Sequence, residues 1–207
     1  MKTLSLRRAK SAFTLIELLV VICIIGILMA LLFPAIGSAV LAAQKAQAKN
    51  DVVNLANAAI AYELEYGKLP PTESGGGDGG ADVTGKVDGK FLKALTGIDE
   101  TDNPRKVVFI EIAEWKKGKG GVDDIDAPTM YVDPWGSNKA DETHAYQITM
   151  DTNYDNKVKA KTYPPNAGNS SAPADQDFRK KVAIWSVSMP PGTNASPNKR
   201  YFVNSYE

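Results

Sequence analysis

The chain has 207 residues, with 24 Lys and Arg balanced by 24 Asp and Glu, so no overall positive charge points to a nucleic-acid partner. A single cysteine, Cys23, excludes a disulfide within these residues. The charge balance is uneven: residues 1–12 carry Lys2, Arg7, Arg8 and Lys10 and no acid, which leaves an acidic remainder.

From Leu18 to Gln44 no residue is charged, and Leu18 to Phe33 is almost all aliphatic. A run of that length reads as a membrane-spanning helix. The basic cluster before it orients the N-terminus to the cytoplasm and the C-terminal body to the far side. Two plainer readings compete. One is an uncleaved anchor; the other is a secretory signal cut near Gly37, Ser38 and Ala39. Against the signal, the apolar stretch is longer than the ~7–15 residues such a region uses.

Glu17 sits at the start of this run, and an ionisable group in lipid demands a partner. No cation follows until Lys45; upstream stand only Arg7, Arg8 and Lys10. Cleavage between Ala12 and Phe13 would supply another partner, an α-amino group that is largely cationic at neutral pH. The stretch "KSAFTLIELLVVICIIGILMALLFPAIGSA" resembles the N-terminus of type IV pilins and type II secretion pseudopilins. In that family a prepilin peptidase removes a basic leader and N-methylates the new terminal Phe. The resemblance implies a leader at 1–12, cleavage between Ala12 and Phe13, methylation of Phe13 and an assembly role for Glu17. The family usually has Gly where Ala12 stands, which implies slower processing. Gly26 and Pro34 fall where pilin helices often carry helix-weakening residues. Independently, proline removes a helix donor, and neighbouring helices can accommodate the kink.

Beyond Pro34 the pattern stays helical to Tyr66, rich in Ala, Leu, Gln, Lys and Glu. Val53, Ala56, Ile60 and Leu64 recur at spacings of three and four and predict an apolar face. Gly67 and Pro70–Pro71 supply the stop. One long helix is therefore expected over 13–66, membrane-spanning at 13–35 and amphipathic at 36–66, followed by a soluble head at 67–207.

In the head, residues 74–80 read as a Gly-rich loop and "KFLKALTG", Lys90 to Gly97, as a short helix closed by glycine. "KVVFIEIAEW", Lys106 to Trp115, starts as a strand. Lys116 to Gly121, "KKGKGG", is a basic turn without the spacing of a phosphate-binding loop. Pro134 and Gly136 place Trp135 in a turn, and "HAYQITMD" and "KVAIWSVSM" read as strands of a small antiparallel sheet. The "DPWG" turn, the Tyr-containing strand and the late "WS" strand resemble the major pseudopilin of type II secretion. Residues 164–178 and 190–199 read as loops, the former as an insertion. The fold class expected is α+β and pilin-like: a long N-terminal helix packed on a small antiparallel sheet domain.

"DTNYDN" begins like a calcium loop through Asp151, Asn153 and Asp155, but Asn156 holds the glycine position and Thr162 that of the closing Glu. A hairpin turn fits this half-match better, with calcium the only candidate ion. His144 stands alone without a nucleophile motif, so no enzyme is expected. Trp115, Trp135 and Trp185 read as packing residues. The resemblance implies a structural subunit of a secretion pseudopilus that helps move proteins out of the periplasm. Its partners would be prepilin peptidase, further copies of itself, other pseudopilins and an inner-membrane assembly platform. It would sit in the bacterial inner membrane, head periplasmic, before joining the filament. A type IV pilus or minor pilin subunit, or an anchored binding module that never polymerises, remains open.

Overall fold

The computed structural model describes residues 13–75, 82–162, 174–188 and 201–206. The expected leader at 1–12, with Ala12, most of the Gly-rich loop and the loop 190–199 lie outside the described residues. The chain forms two compact units, Met1–Leu41 and Ala42–Glu207.

Helix α1 runs from Leu15 to Tyr66 and passes through Gly26 and Pro34 without ending. In the first unit its large apolar side chains are exposed at every turn, from Leu15 and Ile16 to Leu32 and Phe33. The helix is long and apolar enough to cross a membrane, with none of its most apolar window buried.

The head is an α+β domain. Four antiparallel strands, β1 (Val83–Lys86), β4 (Gln147–Met150), β7 (Val182–Ser188) and β8 (Tyr201–Asn204), pair in the order β1-β4-β7-β8. Alternation along β7 serves both sheet faces. Val182 and Ile184 join a core with Val52, Leu55, Ala59 and Tyr62 of α1, whereas Ala183 and Trp185 join Val158, Ala160 and Tyr206 in a smaller one. That second cluster is capped by the hairpin of β5 (Val158–Thr162) and β6 (Ala174–Phe178). Strands β2 (Gly121–Val122) and β3 (Tyr131–Val132) form a separate short pair.

Helix α2 (Gly89–Thr96) starts as its sequence dictates, with Asp88 accepting the Phe91 N–H at 3.0 Å. It ends at Gly97, whose φ of 76° is the left-handed conformation a side chain disfavours.

Three expectations need correction. The expected face of α1 is right only in part: Ala56 is buried and Val53 packs on the core with Ala48, Val52, Leu55, Ala59 and Tyr62, but Ile60 is 37% and Leu64 83% exposed. The face the core took is rich in alanine, with Ala48, Ala56, Ala58 and Ala59 all in it. Residues 106–115 form no strand. Lys106 takes a φ of 52°, and the segment gains only scattered bonds, such as Phe109 N–H to the Leu95 carbonyl. Phe109, Ile110 and Ile112 pack on the core without a ladder partner. Finally, 174–178 is a strand rather than loop, paired in register with β5 from Val158↔Phe178 to Thr162↔Ala174.

Candidate functional site

The residues singled out at the start of α1 form a local hydrogen-bonded unit. Glu17 Oε2 accepts the Thr14 N–H at 2.8 Å and the Thr14 hydroxyl at 2.6 Å, while the Glu17 N–H reaches Thr14 Oγ1 at 3.3 Å. This reciprocal pattern is a capping box: Thr at the helix start, Glu three residues on, each satisfying a backbone N–H that the helix leaves open. Sequence reasoning sought only cations for Glu17 and missed Thr14, although T-x-x-E is itself a readable signal. Phe13 precedes the box and is exposed. Gly26 and Pro34 lie well inside α1, and Pro34 deprives the Ala30 carbonyl of its usual helical donor.

The prokaryotic N-terminal methylation motif family matches residues 7–33, the span holding Phe13, the capping box and the exposed apolar helix. Residues 7–33 therefore carry the features of that methylation motif. The chain is 41% identical over 69 residues to type II secretion system core protein G of Aeromonas hydrophila, covering 33% of this chain and 48% of that protein. It is 42% identical, again over 69 residues and 33% of this chain, to type II secretion system core protein G of Pseudomonas aeruginosa, covering 49% of it. The chain thus spans about half the length of the curated relatives it matches. No solved structure matches it significantly.

The candidate calcium residues form the turn between β4 and β5. Asp151 accepts the N–H groups of Asp155 at 3.1 Å and Asn156 at 2.8 Å, Asn153 accepts that of Asp155, and Asp155 accepts that of Lys157. Their oxygens accept from the loop's own backbone, those of Asp151 and Asn153 meeting at the Asp155 N–H. Among the described residues no group of three or more His, Cys, Asp or Glu is placed to hold a metal ion. A calcium shell would need about six to eight converging oxygens; these hydrogen bonds are those of a closed turn.

His144 is not alone, since its Nδ1 lies 3.0 Å from Asp141 Oδ2. No nucleophile motif accompanies the pair. Trp135 and Trp185 are buried and Trp115 is half-buried, as packing residues are.

A polar cluster that sequence did not flag holds the head's helix to its sheets. Asp51 of α1 is buried and accepts Gln47 Nε2 at 2.8 Å and the Tyr146 hydroxyl at 3.1 Å. Burial pushes its carboxyl from 3.8 up to about 6, opposed by hydrogen bonds from Gln47, Tyr146 and Tyr131, with Asp133 adding to the rise. An acid whose folded pKa is raised binds more protons folded than unfolded in the window between the two values. Stability from this group is therefore present at low pH and lost as pH climbs from about 4 to about 6. Burial also raises Asp82, in the same direction, so the diagnostic quantity is a difference. Relative to Asp51→Asn, the wild-type chain is expected to lose about 2–3 kcal/mol between pH 4 and pH 7. Urea midpoints measured across that range check it; parallel curves for the two proteins would contradict it.

Proposed function

We propose that this chain is a structural subunit of a type II secretion pseudopilus rather than an enzyme. The observation that carries the reading is the methylation motif over 7–33 on a helix whose apolar residues are exposed all round. Such a helix needs lipid before assembly and other helices after it. In this reading the basic leader stays in the cytoplasm, and prepilin peptidase cuts between Ala12 and Phe13 and methylates Phe13. The head folds in the periplasm. On an assembly platform in the inner membrane, copies of the chain and other pseudopilins then stack head to tail. That geometry does not close on itself and yields a helical filament. Glu17 of one subunit pairs with the Phe13 amine of its neighbour, so only one axial register satisfies both charges. The filament helps move proteins out of the periplasm. Likeness to two type II secretion core proteins supports this reading over a surface pilus, and no step of it uses a metal.

Two measurements on the membrane and sheared fractions test it. The mature chain should begin at Phe13, heavier by one methyl group, and the sheared fraction should contain filaments of this chain. A mature start near Val40, or processed chain that is never found in filaments, would overturn it.

A further inference from the structure

The basic turn Lys116–Gly121 does not hang free. It packs against the first turns of α1 in the head unit, where a Cβ at Gly118 would meet Gln44 Nε2 at 3.4 Å. A cleft of about 460 Å³ beside it is lined by Gln47, Lys116, Lys119, Gly120 and Ile125, among others. The turn is fixed there by its glycines: Gly120 has a φ of 71°, and a Cβ on it would strike the Val132 carbonyl oxygen at 2.7 Å.

Gln44 is also the last residue of the uncharged run, and Lys45 is the first charge after it. The fold thus brings three lysines from more than seventy residues away in sequence to the place where the chain leaves its apolar segment. Lys45, Lys116, Lys117 and Lys119 are exposed, and none has an ion-pair partner among the described residues. The acids that follow the turn are hydrogen-bonded to their own loop. Asp123 accepts from the Thr129 N–H and hydroxyl and the Met130 N–H, and Asp124 accepts the N–H groups of Asp126 and Ala127. Glu114, on the same cleft, and the exposed Asp124 and Asp126 are the opposing charges.

We propose that Lys116, Lys117 and Lys119, with Lys45, form a docking surface for anionic phospholipid headgroups that seats the head on the bilayer before assembly. The inference rests on the reading that residues 13–35 span that bilayer; the nine residues from Ile36 to Gln44 rise about 13 Å, across the headgroup layer. Covalent attachment then keeps the turn near the headgroups, so their effective concentration is high without any tight single contact. Lysine stems lie along the interface while their ammonium groups reach phosphate. The attraction acts within a Debye length, about 8–10 Å at ordinary salt. Each lysine near an anionic surface multiplies the docked-to-undocked ratio roughly fivefold, and three give on the order of a hundredfold. Entry of the subunit into a filament would have to release this contact.

The full-length chain with Cys23→Ser is reconstituted in vesicles of phosphatidylethanolamine with phosphatidylglycerol, and separately in phosphatidylcholine alone. A nitroxide at Ile125→Cys, on the cleft, reports depth by its accessibility to oxygen and to a water-soluble relaxant. Another at Leu28→Cys reports the apolar run. We expect the Ile125 label to be drawn to headgroup depth only in the anionic vesicles. About 1 M salt, or the combined Lys116→Gln, Lys117→Gln and Lys119→Gln variant, should release it. If Leu28 is outside lipid, the bilayer reading itself has failed. If Leu28 is in lipid and the Ile125 label is equally wet in both vesicles, the docking proposal is overturned. Label-to-label proximity that ignores lipid charge would instead assign the turn to subunit contact, and overturn it too.

Discussion

Glu17→Ala should insert in the membrane, be cut before Phe13 and still fail to enter filaments. The variant removes two things: the acid that would pair with a neighbour's Phe13 amine, and the partner of Thr14 in the capping box. The two losses differ in size. A missing cap costs about 1 kcal/mol and frays one turn of a long helix. Leaving the neighbour's amine buried without its acid costs about 3–5 kcal/mol at every interface, a penalty repeated along the filament. Two further variants separate them. Thr14→Val discards the cap and keeps the acid, so it should still assemble. Glu17→Gln keeps an acceptor at the cap, since glutamine also serves in a capping box, and discards the charge; it should fail as alanine does. Membrane fractionation, the size of the processed chain and the yield of sheared filaments read all three steps. Normal filament yield from Glu17→Gln would leave Glu17 as a helix cap and nothing more.

The capping box also changes how the acid is accommodated before assembly. In the single chain Glu17 is hydrogen-bonded but not charge-paired among the described residues: neutral Thr14 gives its Oε2 both a backbone and a hydroxyl donor. Pairing with a second subunit would add the counter-charge, through Oε1, without giving up the cap on Oε2.

How much of this was legible in the sequence depended on whether the signal was local. The apolar run, the helix-forming composition to Tyr66 and the closing Gly97 of the short helix all express themselves within a few residues, and all appear in the structure. Residues 106–115 have the β-branched and aromatic content of a strand, but a strand also needs a partner, and pairing is decided elsewhere in the chain. Residues 174–178 misled in the opposite sense: "ADQDF" looks like loop because Gln176 and Asp177 face solvent, yet β5 offers it a ladder. On α1, Ile60 and Leu64 outweighed alanines in judging the buried face, although close packing on a sheet selects small side chains. Asp51 and Asn103 were unreadable for a related reason: nothing in a single sequence marks which polar residues will be enclosed.

Asn103 carries the other large expected effect, a loss of about 3–5 kcal/mol of head stability on substitution by alanine. The residue is fully buried and uses all its hydrogen-bonding capacity. Its Nδ2 donates to the carbonyls of Ala94 and Val107, each at 2.7 Å. Its Oδ1 accepts the Val107 N–H at 3.0 Å and the Tyr66 hydroxyl at 2.6 Å. One side chain thus ties α2, the irregular segment after it and the end of α1 together, in a segment that has no sheet ladder of its own. Alanine would leave those partner groups facing a void too enclosed for ready rehydration, and each unsatisfied group costs about 1–3 kcal/mol. The sum is less than additive because the segment can relax outward. Tyr66→Phe removes one of the four bonds and should cost about 1 kcal/mol, which calibrates the network. Urea unfolding of the full chain in detergent measures both, and hydrogen exchange locates the damage. The Phe109 amide, bonded to the Leu95 carbonyl at 2.9 Å, should lose protection first if the segment lets go before the domain does. A change below about 1 kcal/mol for Asn103→Ala, with Phe109 protection intact, would mean the segment is held by the packing of Phe109, Ile110 and Ile112 and not by the asparagine.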